Sequence, residues 1–290
     1  KRVLYGSENG RTGQDWRAVA ENDFISAQFL WTGIDYLGEA KEWPVRNFTS
    51  GMLDLAAFKK PGFYYRKSLW SEEPVVKLFT DYNNDSQDNP NWFDEVERTW
   101  NKGSERDEVR VICATNCEEV ELFLNDVSLG KKKLDDSSED YIYWDVSFGE
   151  GTLKAVGKKN GEKYEDILST TGSPQKIQLD PEVEKSLDFE EVTHIEVNIT
   201  DREDKIVPEA SNKVKFEVFG PGEIIGIENG NPESHEDYQA LERKAYLGKL
   251  LVYLKADKEN EIKKEEKRKI ILKASAADIQ GDSISLKVGN

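Results

Sequence analysis

Carboxylates that follow two predicted strands are the side chains of this sequence best placed to do chemistry. Glu8 ends the segment VLYGSE, and Asp35 and Glu39 come soon after a second predicted strand over residues 24–32. A carboxylate at a strand end can serve as a nucleophile or carry a proton in hydrolysis. Position alone favours a plainer interpretation of Glu8 as a surface loop carboxylate, and Asp35 and Glu39 fit backbone hydrogen bonding in the loop as well as they fit substrate binding.

The histidines and the acidic loops argue against other common site chemistries. His194 lies alone in an alternating β pattern and His235 alone in a polar loop, and the sequence has no third histidine. Neither a histidine-based triad nor a zinc site is therefore predicted. The segment from Asp81 begins like a calcium loop, but Ser86 stands where Gly is needed and Trp92 where a bidentate Glu is needed. We expect an acidic linker loop there, and no metal or cofactor.

Charge and hydropathy narrow the classes of partner. The 290 residues carry a formal net charge of −17, which repels nucleic-acid phosphates and anionic headgroups. The apolar runs are far shorter than the roughly 20 residues needed to cross a bilayer. The sequence therefore predicts a neutral substrate, no nucleic-acid partner and no membrane span.

The predicted elements change in type along the chain. A strand over residues 3–8, a helix over 14–22 and the strand over 24–32 indicate a parallel βα repeat. From residue 75 onward, short alternating strands separated by turn residues are typical of antiparallel sandwiches, with a hinge at residues 172–174. Cys113 and Cys117 are separated by about 13 Å in an extended strand, so free thiols are expected unless a turn brings them together.

Two ordered motifs stand in the first part of the sequence, residues 4–10 (LYGSENG) and 22–39 (NDFISAQFLWTGIDYLGE). They resemble barrel strands seven and eight of glycoside hydrolase family 2, and of its β-galactosidases in particular. The match continues through residues 43–44 (WP), 51–55 (GMLDL) and 60–70 (KPGFYYRKSLW). The resemblance therefore spans a long ordered segment.

The remaining residues resemble the domains that follow the barrel in such enzymes. Residues 115–125 (TNCEEVELFLN) resemble the first sandwich, and 228–232 (ENGNP) resemble an additional immunoglobulin-like domain. The implied fold is mainly β. It comprises the last βα units of a (β/α)8 barrel and then two immunoglobulin-like antiparallel β-sandwiches, over residues 1–74, 75–172 and 173–290.

The resemblance assigns roles to the candidate residues. It implies that Glu8 is the nucleophile, at the end of strand seven. Trp31 resembles the aromatic platform beneath the sugar, although it also fits a core residue at the barrel end. Asp35, Asn9 and Glu39 are implied as weaker substrate ligands. The acid/base Glu of the family lies on strand four, so the implied partner is the amino-terminal part of the same polypeptide.

The implied activity is retaining hydrolysis that releases terminal β-galactose from glycans, without a cofactor and with this chain inactive alone. β-Glucuronides and β-mannosides are alternative substrates. A different alternative is a non-catalytic module that binds carbohydrate or braces the barrel, for which Trp92, Trp100 and Trp144 are candidate surface aromatics. The family resemblance favours a periplasmic or secreted location.

Overall fold

The computed structural model describes most of the chain. The described residues are 3–7, 13–40, 42–83, 86, 92–94, 96–102, 107–137, 140–183, 186–258 and 268–289, and of residues 3–7, 13–15 and 92 it describes the backbone alone. Most of the charged segment predicted as a loop over residues 258–269 lies outside them.

The described chain is mainly β. The helices are α1 (Gly13–Ala20) and α2 (Pro61–Trp70), with 3-10 turns at Trp92–Asp94 and Leu134–Asp136. The strands of the first half are β1 (Val3–Ser7), β2 (Ile25–Leu30), β3 (Tyr36–Leu37), β4 (Asn47–Phe48), β5 (Val76–Asp81), β6 (Glu108–Thr115), β7 (Glu119–Leu124), β8 (Val127–Lys133), β9 (Ile142–Ser147), β10 (Thr152–Lys159) and β11 (Glu162–Ser169). Those of the second half are β12 (Lys176–Pro181), β13 (Ser186–Leu187), β14 (Val192–Thr200), β15 (Lys213–Phe219), β16 (Gly222–Glu228), β17 (Glu242–Lys244), β18 (Lys249–Ala256), β19 (Lys269–Ala276) and β20 (Ile279–Val288).

The chain forms two compact units. The first comprises residues 1–36, 49–54 and 59–170, and the second comprises residues 37–48, 55–58 and 171–290. Two short segments from the amino-terminal quarter thus belong to the second unit. The predicted three-part division of the chain stays a prediction.

The first unit begins with a strand, helix and strand. β1 and β2 pair in parallel, with Val3 opposite Ile25 and Ser7 opposite Leu30, and α1 lies between them in sequence. A parallel pair needs a crossover of this kind. The predicted parallel βα repeat is therefore present, while its place in a barrel stays a prediction.

The rest of the first unit is built of two antiparallel sheets. One has the strand order β11-β10-β7-β8 and the other the order β5-β6-β9. Trp100 is fully buried in their shared core, where its Nε1 donates to the Gly149 carbonyl at 2.8 Å. Trp144 is 5% exposed in the same core. These two indoles are core residues, so they offer no surface for a glycan.

Both cysteines lie in the buried part of this unit as free thiols, which confirms the prediction from spacing. Cys113 is on β6, and Cys117 follows the end of that strand. Burial raises the pKa of both thiols above the ordinary value. They are therefore protonated at neutral pH and packed as small apolar groups.

The second unit is a second sandwich. Its strands follow the order β16-β18-β14-β12-β20-β19-β15-β17, with β13 beside β20. The step from β12 to β20 consists of one parallel pairing, Lys176 with Gln280. The short strand β13 also pairs with β20 in parallel, and the remaining pairs along the path are antiparallel ladders. Alternate residues such as Ile195, Val197 and Ile199 on β14 are fully buried in the core. This alternation is the pattern that predicted the strands.

A buried carboxylate holds the turn that follows β14. Asp201 accepts hydrogen bonds from the backbone N–H groups of Gly172, Glu203 and Lys205 at 2.8 to 3.0 Å. Burial acts to raise the pKa of Asp201, but the three backbone donors outweigh it, and the pKa is lowered. The ionised form is therefore the one that stabilises the fold.

We expect Asp201→Asn to destabilise the second unit at neutral pH by about 1 to 2 kcal/mol, because a neutral amide accepts these bonds less strongly. Since the folded pKa is depressed, the contribution of Asp201 is present above its ordinary value of 3.8 and is lost as the pH falls below it. Urea unfolding followed by circular dichroism at pH 7 and pH 3.5 measures this. The difference in the free energy of unfolding between wild type and Asp201→Asn should be smaller at pH 3.5 than at pH 7. The control Glu217→Gln, on the exposed side of β15, should not differ from wild type at either pH. An equal gap at both pH values would contradict the assignment.

Candidate active site

The predicted nucleophile lies at the edge of what the structure describes. β1 ends at Ser7, and Glu8 and Asn9 lie outside the described residues. Ser7 pairs with Leu30 on β2, directly before Trp31. The backbone therefore brings the end of β1, which directly precedes Glu8, beside the end of β2, which directly precedes Trp31.

Trp31 is a half-exposed aromatic residue with a fixed orientation. Its Nε1 donates to the Tyr36 hydroxyl at 3.1 Å, and the two rings meet edge to face with centroids 6.3 Å apart. The indole is 54% exposed, so much of its apolar surface is open to solvent. Its N–H group is already hydrogen-bonded to Tyr36. This arrangement suits a stacking platform, and that role stays a prediction.

β2 itself is tied to α2. Arg66 is 3% exposed, and its Nη1 donates to Gln28 Oε1 at 3.3 Å. The Arg66 guanidinium also lies 5.0 Å from the ring centroid of Trp70, a distance typical of a cation–π contact. These contacts position the strand that leads to Trp31.

Asp35 is held inside the loop that follows β2. Its side chain is 4% exposed and forms an ion pair with Lys60 Nζ at 3.2 Å, and its Oδ1 accepts from the Gly51 N–H at 2.7 Å. A Cβ at Gly51 would lie 2.3 Å from the Asp35 backbone nitrogen, so this approach requires glycine. These contacts favour the alternative in which Asp35 satisfies loop groups, and a substrate contact stays a prediction.

Glu39 is exposed, with a positive φ of 50°. It belongs to segment 37–48 of the second unit, whereas Asp35 belongs to the first. The role of Glu39 as a substrate ligand also stays a prediction.

Segment 37–48 is anchored by a buried group of charges that the sequence analysis did not find. We name it the Glu228 cluster, and it consists of Arg46, Glu228, Tyr238 and Arg243. Glu228 Oε2 pairs with Arg46 Nη2 at 3.4 Å, and its Oε1 pairs with Arg243 Nη1 at 3.5 Å. The side chains of Glu228 and Arg243 are 4% and 0% exposed. Two guanidinium groups thus share one buried carboxylate.

Tyr238 completes the Glu228 cluster. Arg46 Nη1 donates to the Tyr238 hydroxyl, and both guanidinium carbons lie 4.9 Å from the Tyr238 ring centroid. Burial raises the pKa of Tyr238, and the neighbouring Glu228 charge raises it further. The phenol therefore stays neutral and bridges the two charges as a hydrogen-bonding group.

An exposed tryptophan lies in the same segment. Trp43 is 81% exposed and stacks on the His235 ring, with centroids 4.5 Å apart and planes inclined by 28°. The next residue, Pro44, has its carbonyl oxygen 2.8 Å from His235 Nε2. The sequence shows the dipeptide Trp43-Pro44 within the resembling region, but nothing local in it distinguishes an exposed tryptophan from a buried one.

The described residues contain no group of three or more His, Cys, Asp or Glu side chains arranged to hold a metal ion. Among the helices that the structure describes, none has the length and apolar character of a membrane span.

Comparison with protein-family models finds two matches. The model described as glycoside hydrolase family 2 C-terminal domain 5 matches residues 177–285, which form most of the second unit. A model described as a domain of unknown function, DUF4982, matches residues 106–165 of the first unit.

Comparison with curated proteins decides the family. Over 273 residues, or 91% of its length, the chain is 35% identical to the β-galactosidase BoGH2A of Bacteroides ovatus. The chain belongs to glycoside hydrolase family 2. A second family 2 relative is a β-glucuronidase of Formosa agariphila, 26% identical over 191 residues and 64% of this chain.

A solved structure supports the same family. A family 2 glycosyl hydrolase from Bacteroides cellulosilyticus superposes on 100% of this chain with a TM-score of 0.86 at 25% identity. The mainly β, sandwich-like fold predicted from the resemblance is thereby confirmed. This family 2 chain covers 30% of BoGH2A, 17% of the β-glucuronidase and 40% of the solved structure. It corresponds to their carboxy-terminal portion.

We expect Asp35→Asn to lower the free energy of unfolding of this family 2 chain by about 2 to 3 kcal/mol, because it removes the negative charge that accepts from the buried Gly51 N–H and from the partly buried Lys60 ammonium. Lys60→Met tests the same pair from the other side. In a double-mutant cycle measured by urea unfolding, the two losses should be less than additive. Unchanged stability of Asp35→Asn, with a raised KM in the intact polypeptide, would instead show that Asp35 binds substrate.

Proposed function

We propose that the polypeptide containing this chain is a retaining glycoside hydrolase that releases terminal β-galactose, with Glu8 as its nucleophile. The observation that carries the proposal is the parallel pairing of β1 and β2, which puts Ser7, directly before Glu8, beside Leu30, directly before Trp31. Attack on a sugar ring requires a carboxylate beside the anomeric carbon, strand ends are where barrel enzymes place such groups, and an indole at the neighbouring strand end offers an apolar surface to the sugar. Similarity to a β-galactosidase over 91% of the chain supports the substrate class.

The reaction proceeds in two displacements. The Glu8 carboxylate attacks the anomeric carbon as the glycosidic C–O bond breaks, and a second carboxylic acid protonates the leaving oxygen. That second group then takes a proton from water, whose oxygen displaces Glu8 and restores the original anomeric configuration. The two carboxyl groups must lie about 5 to 5.5 Å apart. In the family resemblance the second group comes from strand four, outside this chain.

A neutral galactoside fits the charge of the chain better than a glucuronide. The net charge is −17, so the chain repels an anionic sugar more than a neutral one. Carboxylates accept hydrogen bonds from sugar hydroxyls but repel a uronate. β-Glucuronides remain the alternative substrate because a curated relative is named β-glucuronidase.

The non-catalytic alternative loses part of its support. Trp100 and Trp144 are buried in the first unit, so two of the three tryptophans considered for glycan binding are not at the surface. The side chain of Trp92 lies outside what the structure describes.

In the intact polypeptide, we expect Glu8→Gln to lower kcat on nitrophenyl β-galactoside by 10³-fold or more, on the order of losses seen when a nucleophile is removed. Glu21→Gln, an exposed position after α1, serves as the matched control and should retain wild-type kcat. With Glu8→Gly, added azide should restore turnover and yield the α-galactosyl azide, because azide attacks from the face that Glu8 occupied. Normal turnover by Glu8→Gln would disprove the assignment.

The 290-residue chain alone should not release nitrophenol from nitrophenyl β-galactoside, because one carboxylate cannot both attack the sugar and protonate its leaving group. The intact polypeptide assayed at equal concentration provides the positive control. Turnover by the isolated chain that Glu8→Gln abolishes would show that this chain holds both catalytic groups.

A further inference from the structure

We propose that the exposed face of Trp43, backed by His235, binds a pyranose ring of a neutral glycoside. This site, the Trp43 platform, lies within the second unit. It rests on the proposed function only for the chemical class of its ligand.

The first support is the exposure and backing of the indole. Trp43 is 81% exposed, although one face lies over His235 at a centroid distance of 4.5 Å. The other face is flat, apolar and open, which is the surface that the C–H face of a pyranose ring contacts.

The second support is that the indole is held in place. The Arg46 N–H donates to the Pro232 carbonyl at 3.0 Å, and the Gly38 N–H donates to the Arg46 carbonyl at 3.1 Å. The Arg46 side chain reaches Glu228 and Tyr238, and His235 Nε2 lies 2.8 Å from the Pro44 oxygen. A ring that stacks on His235 and is followed by a backbone anchored at Pro44 and Arg46 loses less conformational entropy on binding a ligand than a free side chain does.

The size of the apolar surface identifies the occupant. Among the described residues of 37–48 and 229–241, the exposed large apolar side chains are Leu37, Trp43 and Leu241, and Trp43 is the only aromatic one. An indole buries about 150 to 250 Å², whereas a stable protein interface buries roughly 800 Å² per partner. One ring therefore suits one sugar rather than a protein surface.

The surrounding charge selects a neutral sugar. Glu42 precedes Trp43 and is exposed, as are Glu39 and Glu233, and Glu236 follows His235. These carboxylates can accept hydrogen bonds from sugar hydroxyls, and they disfavour uronate or sulfate groups. The expected ligand is a galactoside or a related neutral hexoside.

The test uses the 290-residue chain and the indole N–H resonances in a ¹H–¹⁵N spectrum. The Trp43 resonance is the one that disappears in Trp43→Ala, and Trp70→Ala supplies a control, since the Trp70 ring is 47% exposed but packed against Trp16. Methyl β-galactopyranoside and β-1,4-galactobiose should shift the Trp43 resonance saturably, with a Kd on the order of 1 mM. Trp70→Ala should leave the shift unchanged.

Two results would overturn the platform: no shift of the Trp43 resonance with either sugar, or an equal or larger shift with methyl β-glucuronide. An assay of β-galactoside hydrolysis by the intact polypeptide distinguishes failure of the platform from failure of the proposed function. If it hydrolyses β-galactosides while the Trp43 resonance does not respond, the platform is wrong and the function stands. If the resonance responds while the intact polypeptide hydrolyses no β-galactoside, the function is wrong and the platform stands.

Discussion

The buried carboxylate of Glu228 holds two guanidinium groups, and the position of segment 37–48 in the second unit depends on it. Backbone N–H groups of Asn229 and Gly230 also donate to Glu228 Oε1, at 2.8 and 3.1 Å. Such a pair contributes little net stability by itself, but breaking a buried pair costs about 3 to 5 kcal/mol. Its main effect is therefore to specify where Arg46, and with it Trp43, must lie.

Two ion pairs fix the two ends of one continuous segment. Asp35 with Lys60 holds the end that belongs to the first unit, and Arg46 with Glu228 holds the end that belongs to the second. Trp31 precedes this segment and Trp43 lies within it, and both present indole surface. The proposed sugar-facing residues are thus close in sequence to ion pairs with a buried carboxylate, which agrees with the general need to support a binding residue by a rigid surrounding.

Sequence pattern predicted the central strands well. The alternation of buried residues on β14 and β7 was visible in the sequence because each strand has one face in a core. The apolar run of β6 was visible because both of its faces are buried. The edge strand β8 was not predicted, since its residues are exposed along nearly the whole strand. The same reason applies to β11, which buries little besides Leu168. A strand without a buried face carries no periodic signal.

Only some residues of the candidate active site and of the Glu228 cluster could be predicted from the sequence. Family resemblance identified Trp31 and the segment 228–232, but it did not connect Arg46 to Glu228, which lies 182 residues away. Contacts of that separation leave no local pattern, so the cluster and the fixed position of Trp43 emerge only from the fold. Asp35 shows the converse, because its sequence position suggested a substrate ligand while its contacts with Gly51 and Lys60 are structural.

Hydrogen exchange in Arg46→Met tests most directly whether the Glu228 cluster positions the segment that carries Trp43. The variant leaves Glu228 paired with Arg243, so the charges of the remaining core stay balanced. Amides at residues 38 and 46, which donate to the Arg46 and Pro232 carbonyls, should then exchange at least about 10-fold faster, equivalent to a loss of roughly 1.4 kcal/mol. Protection on β18, such as at Leu250 and Val252, should be retained. Unchanged exchange at residues 38 and 46 would contradict the account.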